Sequence, residues 1–440
     1  MADSSPTVAA AAAPIAESLP ASPRSLRALV VDRAFPALRH RNYRLFFLGQ
    51  LISLTGTWTQ VVAQGWLVWT LSHSAFLLGV IAGLQSAPVL LFGLWGGVIA
   101  DRVAKRELLI ATQAAAALLA LAMAVLVSTG AIAAGHPQSL ALVGLLAFAL
   151  GTVNAFDAPA RQAWVVELVG KKHLLNAISL NSSVFNGTRI LGPVVATTLI
   201  NTAGTAVCFY VNAASFVPVI AGLWLIRPTA LAARRASGST LESVREAAAY
   251  IRQQPVVLDL FATVVVASVL VYGYLSLLPA FADGVLHAGS AGYGAMTLCN
   301  GAGALVAALS LAVRGNGRRR QGFRIVAGAV GLSLLVAAFA LSPSLPLSLA
   351  LMTLVGWAGV GFLARANTVL QTTVPDELRG RVMSLYVLIL MGLLPIASVQ
   401  LGGLARLLGA PGAVASEALL AAALLVALHL RRPHVRGMAE

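Results

Sequence analysis

The sequence predicts an all-α membrane protein of twelve transmembrane helices, built as two six-helix pseudo-repeats. Three observations predict it. Of 440 residues, 58% are hydrophobic and only 10% charged, where a soluble domain carries roughly 25% charged residues. Apolar stretches of about 20 residues, long enough to cross a hydrocarbon core of roughly 30 Å, recur along the chain. They begin near residues 44, 77, 108, 139, 177, 205, 256, 290, 322, 346, 382 and 411. Finally, the 30 Lys and Arg sort by side. The N-terminal segment, the C-terminus and the loops joining spans 2 and 3, 4 and 5, 6 and 7, 8 and 9, and 10 and 11 hold 27; the opposite loops hold Arg406 alone, and Arg189 and Arg365 lie inside spans. Short loops rich in Lys and Arg stay in the cytoplasm, so both termini are expected there. The net charge of +15 is thus a topology signal and not a nucleic-acid footprint.

Residues 1–35, with "TVAAAAAPIAESLPASPRS", have neither an apolar core segment nor a small-residue cleavage site after one, and are expected to be a disordered cytoplasmic tail, not a signal peptide. Residues 36–226 are then the first six-helix bundle, 227–255 an inter-domain loop, 256–432 the second bundle and 433–440 a short tail. In span 1, Gln50, Ser53, Thr57, Gln60 and Gln64 recur at spacings that place all five within an arc of about 80°. A polar stripe in hydrocarbon is tolerated where it faces water or the bundle interior, so it is expected to line a substrate cavity, with helix-to-helix hydrogen bonding as the alternative.

"GGVIADRVAKREL" (96–108) follows span 2 and packs an acid and three bases between Asp101 and Arg106. Asp101 is placed to meet Arg161 or a neighbouring helix N-terminus, and Arg102, Lys105 and Arg106 to meet headgroups or acids such as Glu167. In span 4, Asn154, Asp157 and Arg161 share a face, with a local i,i+4 pair between the last two as one reading. Arg189 falls near the middle of span 5, too deep to snorkel to either surface. Cys208 and Cys299 lie inside spans, where they act as small hydrophobes. Within the inter-domain loop "TLESVREAAAYIRQQ" reads as a short polar helix at the membrane surface.

The halves match locally: "VVELVGKKHLLNAISL" (165–180) resembles "VPDELRGRVMSL" (374–385) across a four-residue gap. Six plus six spans with an internal repeat point to a secondary transporter whose site lies between the halves. The same alignment brings Arg365 in span 10 within one residue of the position equivalent to Asp157. Facing each other near the inner surface, the two are expected to pair when the inside is closed, as a gate or proton-coupling pair, unless Arg365 snorkels to the surface.

Gly97-x-x-x-Asp101-Arg102-x-x-Lys105-Arg106 resembles the loop signature of the major facilitator superfamily, departing from it at Ala104, where the family usually has Gly. "FDAPARQAWVVELV" and "NAISLNSSVFNGTRILGP" look like the branch that contains bacterial macrolide exporters and the enterobactin exporter. Gly192-Pro193 resembles the core of the antiporter signature, with Thr188, Ala196 and Thr197 standing where glycines are expected. This resemblance implies an alternating-access exporter of a small organic molecule in a bacterial inner membrane, with the 97–106 cluster and Arg161 as a conformational latch. An importer on the same fold is the rival. No G-x-x-x-x-G-K-[ST] phosphate loop occurs, so a gradient, expected to be of protons, must drive it. The expected partners are the substrate, protons and membrane lipids, without nucleic acid or cofactor, and the chain is expected to act as a monomer. An intramembrane lipid enzyme is disfavoured, because the histidines lie outside the spans or at the end of span 12, with no H-E-x-x-H or G-x-S-x-G motif.

The distribution of Lys and Arg makes the topology testable. Reporter fusions at Ser237 and Gly315 are expected to read cytoplasmic, and fusions at Gly135 and His287 periplasmic. A reversed reading at any one of them breaks the twelve-span count.

Overall fold

Helices account for all the regular structure among the described residues of the computed structural model. It describes residues 35–226, 240–314, 321–432 and 434, excluding the side chains of Leu94, Asp101, Lys171, 240–243 and 312–314. The expected tails (apart from Phe35 and His434) and most of the loop before residue 240 lie outside the described residues. Among the described residues, ten helices are long and apolar enough to cross a membrane. One of them, Asp376–Arg431, is two spans, divided at Gly409. The remaining crossing is 171–203, separated from the helix before it at Gly170. It falls short in hydropathy because it carries Lys172, Asn181, Asn186 and Arg189.

The spans are Arg41–Ser72, Ala75–Arg102, Lys105–Ser128, 139–169, 171–203 and Thr205–Leu225 in the first half. In the second they are Pro255–Val285, Gly289–Arg314, Gln321–Ala340, Leu345–Thr373, 376–408 and 410–431. Packing repeats with an offset of six. Spans 2 and 4, 3 and 4, 3 and 6, and 1 and 6 pack together, as do spans 8 and 10, 9 and 10, 9 and 12, and 7 and 12. Glycines lie at the equivalent crossings, Gly96 and Gly151 between spans 2 and 4, Gly303 and Gly356 between spans 8 and 10, where each backbone lies against that of the neighbour. In lipid, with no hydrophobic force between helices, such close approach is what holds a pair together.

The turns repeat as well. Spans 5 and 6 are joined at Gly204 (φ 85°, ψ 167°) and spans 11 and 12 at Gly409 (φ 72°, ψ 165°). That conformation is essentially closed to residues with a Cβ. The helix expected in the inter-domain loop forms as Thr240–Gln253 and belongs to the second half. Ala247 and Ile251 are buried, it packs on spans 7 and 11, and Arg381 pairs with Glu246.

Two spans are broken at mid-membrane. Span 7 is interrupted at 271–273, resumes at Tyr274–Pro279 and ends in a π-helical turn, Ala280–Val285. Span 11 is interrupted at Leu393. The breaks touch, since a Cβ on Gly273 would stand 3.0 Å from the Ala397 carbonyl oxygen.

Gly204→Ala and Gly409→Ala are each expected to cost about 1–3 kcal/mol of strain, lowering the melting temperature of the purified protein. Gly403→Ala, in a helix with open space around the new methyl, is expected to leave it unchanged. Equal melting of all four proteins would show that the two turns carry no such constraint.

Candidate functional site

The halves meet on the side away from the termini and separate on the side that carries them. Span 2 packs against span 11 and span 5 against span 8. Near the far surface Trp69 Nε1 donates to Asp283 Oδ2 at 2.8 Å, joining spans 1 and 7, and Ser290 Oγ donates to Asn201 Oδ1 at 2.6 Å, joining spans 8 and 5. Arg406, the lone base of the far-side loops, lies over the Phe76 ring at 4.2 Å, again across the halves. Between these contacts is a cavity of about 340 Å³ lined by Trp69, His73, Phe76, Gly284 and Arg406. On the terminal side, spans 4 and 5 do not pack against span 10. The arrangement is closed outward of the centre and open from the side of the termini.

Arg189 stands at the closed end of that opening. Eighteen residues separate it from 171 and fourteen from 203, so at 1.5 Å per residue it is near mid-membrane. Its Nη2 donates to Asn300 Oδ1 at 2.6 Å, and Asn300 Nδ2 donates to the Tyr274 hydroxyl at 3.0 Å. The chain Arg189–Asn300–Tyr274 links span 5 of one half to spans 8 and 7 of the other, ending at the break in span 7. Arg189 Cζ lies 5.8 Å from the Trp58 ring, which meets Phe185 edge-on at 5.7 Å. Gly192 lets span 5 come to 3.0 Å from the Trp58 carbonyl carbon, measured at the Cβ it lacks, and its carbonyl accepts from Thr59 Oγ1 at 3.3 Å. Gly192 and Pro193 are therefore a close-packing point between spans 1 and 5. Discontinuous helices at mid-membrane are where transporter sites form, since backbone groups freed from the helix ladder face the cavity.

A second cluster is internal to the first half. Asp157 is 3% exposed. Its Oδ1 accepts from Thr112 Oγ1 at 2.8 Å and Gln113 Nε2 at 2.7 Å, and its Oδ2 from Arg161 Nε at 2.9 Å. Arg161 also donates to Gln50 Oε1. Two neutral donors and a guanidinium satisfy the carboxylate, tying span 4 to spans 3 and 1. Asn154, two turns from Arg161 on the same face, is exposed.

The span 1 stripe is placed differently from expectation. Gln50, Ser53, Gln60 and Gln64 are buried and bond within their own half: Gln50 with Arg161, Gln60 with Asn212 at 2.6 Å, Gln64 with Gln85 at 3.0 Å. Thr57 is partly exposed and donates back to the Ser53 carbonyl. A primary amide carries donors and an acceptor, so a buried glutamine stripe is satisfied best by amides and charges on neighbouring helices. Trp58, one residue around the helix from Thr57, is the span 1 side chain that reaches Arg189.

Arg365 is not paired with Asp157 in this arrangement, which is open on the side where the two are expected to meet. Its Nη1 donates to Gly361 O of its own helix at 2.8 Å.

Of the 97–106 cluster, Lys105 pairs with Glu167 at 2.8 Å, and Arg106 donates to the Leu223 and Trp224 carbonyls at 2.7 and 2.8 Å, capping the end of span 6. Gly97 has open space around it and Arg102 is exposed. These contacts join helices of one half. Asp101 ends span 2 with its side chain outside the described ones, and Arg161 is engaged by Asp157 and Gln50.

The residues of these two clusters that sequence reasoning passed over are Asn300, Tyr274, Trp58, Thr112 and Gln113. The spacing of Gly273 and Pro279, and of Gly392 and Pro395, was the available signal for the two breaks.

Residues 33–439 match the transmembrane secretion effector family. The chain is 25% identical over 372 residues to the staphyloferrin A transporter of Staphylococcus aureus, covering 83% of this chain and 90% of that one. It is 28% identical over 365 residues to the multidrug efflux pump Tap of Mycolicibacterium fortuitum, covering 81% and 86%. Among solved structures, the nucleoside transporter NupG superposes with a TM-score of 0.67 at 11% identity, over 90% of this chain and 98% of that one. A bacterial homologue of the iron transporter ferroportin in its inward-facing state superposes with a TM-score of 0.63 at 17% identity, over 88% and 98%. These two likenesses establish the fold. The chain belongs to the transmembrane secretion effector family of the major facilitator superfamily, as a multi-pass membrane transporter of small molecules and not an enzyme.

Proposed function

We propose that this transporter exports an amphipathic organic molecule from the cytoplasm of a bacterium across its inner membrane, by alternating access and in exchange for protons. The observation that carries the proposal is the Arg189–Asn300–Tyr274 bridge, placed where the halves meet and at the end of an opening on the side that bears the termini. The positive-inside rule puts that side in the cytoplasm. Substrate enters between spans 4, 5 and 10 and meets Asn154, Thr57, Trp58 and Arg189. The efflux function of the Tap relative supports the outward direction.

Asp157 and Arg161 are the proposed coupling pair. Arg161 ties span 4 to span 1 only while Asp157 holds it, so protonating Asp157 loosens that tie and deprotonation restores it. The buried Gln50, Ser53, Gln60 and Gln64 brace the half that carries the pair. Gly97, Asp101, Arg102, Lys105 and Arg106 serve as the latch on the cytoplasmic side, with Lys105 and Arg106 anchoring its base within the first half. A single chain contains both halves of the site, so the monomer suffices.

Inverted membrane vesicles energised to an acid interior test direction and coupling together. A siderophore and a macrolide are offered to them in turn, and whichever is the substrate is expected to be taken up and to dissipate the pH gradient. Uptake confined to right-side-out vesicles would reject export. Asp157→Asn is expected to lower gradient-driven uptake at least tenfold while leaving exchange of substrate across the membrane measurable; unchanged driven uptake would remove Asp157 from coupling.

Asp101→Asn is expected to slow the cycle several-fold in the same assay with substrate binding retained, since losing the carboxylate shifts the balance between states and leaves the site in place. A wild-type rate would dispose of the latch.

A further inference from the structure

We infer that the molecule carried is an organic anion, a compound with a carboxylate or comparable acid group on an aromatic or apolar body, and that Arg189 is the counter-charge it meets. The inference rests on the transporter reading above and names the substrate class of that same site.

It follows from an inventory of charge. A guanidinium keeps its proton and offers five donors, and a charge held at the centre of a membrane span is costly unless it is compensated. Arg189 makes one hydrogen bond to a neutral amide, and among the described residues no carboxylate pairs with it.

The acids inside the spans either lie at their terminal ends, as do Asp101, Glu107, Glu167, Asp376 and Glu377, or are committed elsewhere. Asp157 is held by Arg161, Thr112 and Gln113. Asp259, at the terminal end of span 7, is held by His434 at 2.8 Å, with Arg432 3.6 Å away. Asp283 accepts from Trp69 at the far surface. Glu417 in span 12 accepts from Gln400 of span 11, within the second half. The central opening therefore holds one uncompensated positive charge, beside faces suited to an apolar body. Trp58 lies alongside the guanidinium, Phe185 is 48% exposed on the same span, and Tyr274 at the break in span 7 joins Arg189 through Asn300. A cationic amphiphile would add a second unpaired charge at mid-membrane. An anion removes the first.

The test uses the full chain in detergent and three probes of one shape: 1-naphthaleneacetate, its methyl ester and 1-naphthalenemethylamine. The carboxylate is expected to bind wild-type protein at least tenfold more tightly than either of the others. Arg189→Gln is expected to abolish that preference, Arg189→Lys to keep part of it, and Arg189→Glu to turn it toward the amine. Wild-type binding of the ester or amine as tight as that of the carboxylate, or no carboxylate binding at all, overturns the inference without recourse to any variant that fails to fold. So does an undiminished preference in folded Arg189→Gln.

Binding is read apart from transport, which separates the two readings. A charge preference that depends on Arg189, in a protein that moves none of the probes in either vesicle orientation, would sink the export proposal and leave the anion site standing. Gradient-driven export of the amine by Arg189→Gln at the wild-type rate would do the reverse.

Discussion

A guanidinium that can neither lose its proton nor reach either membrane surface sets the terms for the centre of this protein. Arg189 must be satisfied by groups brought to it. The sequence answers with close packing, Gly192 admitting the Trp58 backbone on one side and Gly301 lying against the Arg189 backbone on the other. Asn300 then spans the gap between halves, taking a bond from Arg189 and giving one to Tyr274. The interface of spans 5 and 8 is thus held at its middle by one charge, while at its far end the Asn201–Ser290 hydrogen bond closes it.

The two halves divide the work unequally although they share a plan. The pairings of spans and the glycine turns at 204 and 409 repeat, yet the breaks at 271–273 and 393 occur only in the second half among the described residues. Span 1, the counterpart of span 7, is an unbroken helix of 32 residues stitched to its neighbours by glutamines. One half is therefore braced by buried amides and the Asp157–Arg161 pair. The other contains the deformable elements, and the linker helix 240–253 rides on it.

Hydropathy and the side preference of Lys and Arg are properties of position along the chain, so they were legible without coordinates. The span starts near 44, 139 and 205 fall close to those observed, and span 5 was counted as well, from near 177, although it is the most polar of the crossings. Direction around a helix was much harder to read. Periodicity correctly put Gln50, Gln60 and Gln64 on one face but could not say what that face met, and it met spans 2, 4 and 6.

The same asymmetry explains why Asn300 and Tyr274 were missed. Neither is charged, neither belongs to a periodic polar stripe, and each gains its role only from the partner that the fold delivers. Arg189 was legible because an intramembrane charge is costly wherever it points, so its presence alone implied a compensating structure. That structure is a neutral amide and an aromatic face, which settle the geometry of the guanidinium without neutralising it. On the proposed reading, a site left unsatisfied in charge binds its ligand through the charge the ligand supplies and releases it when the halves separate at Asn300.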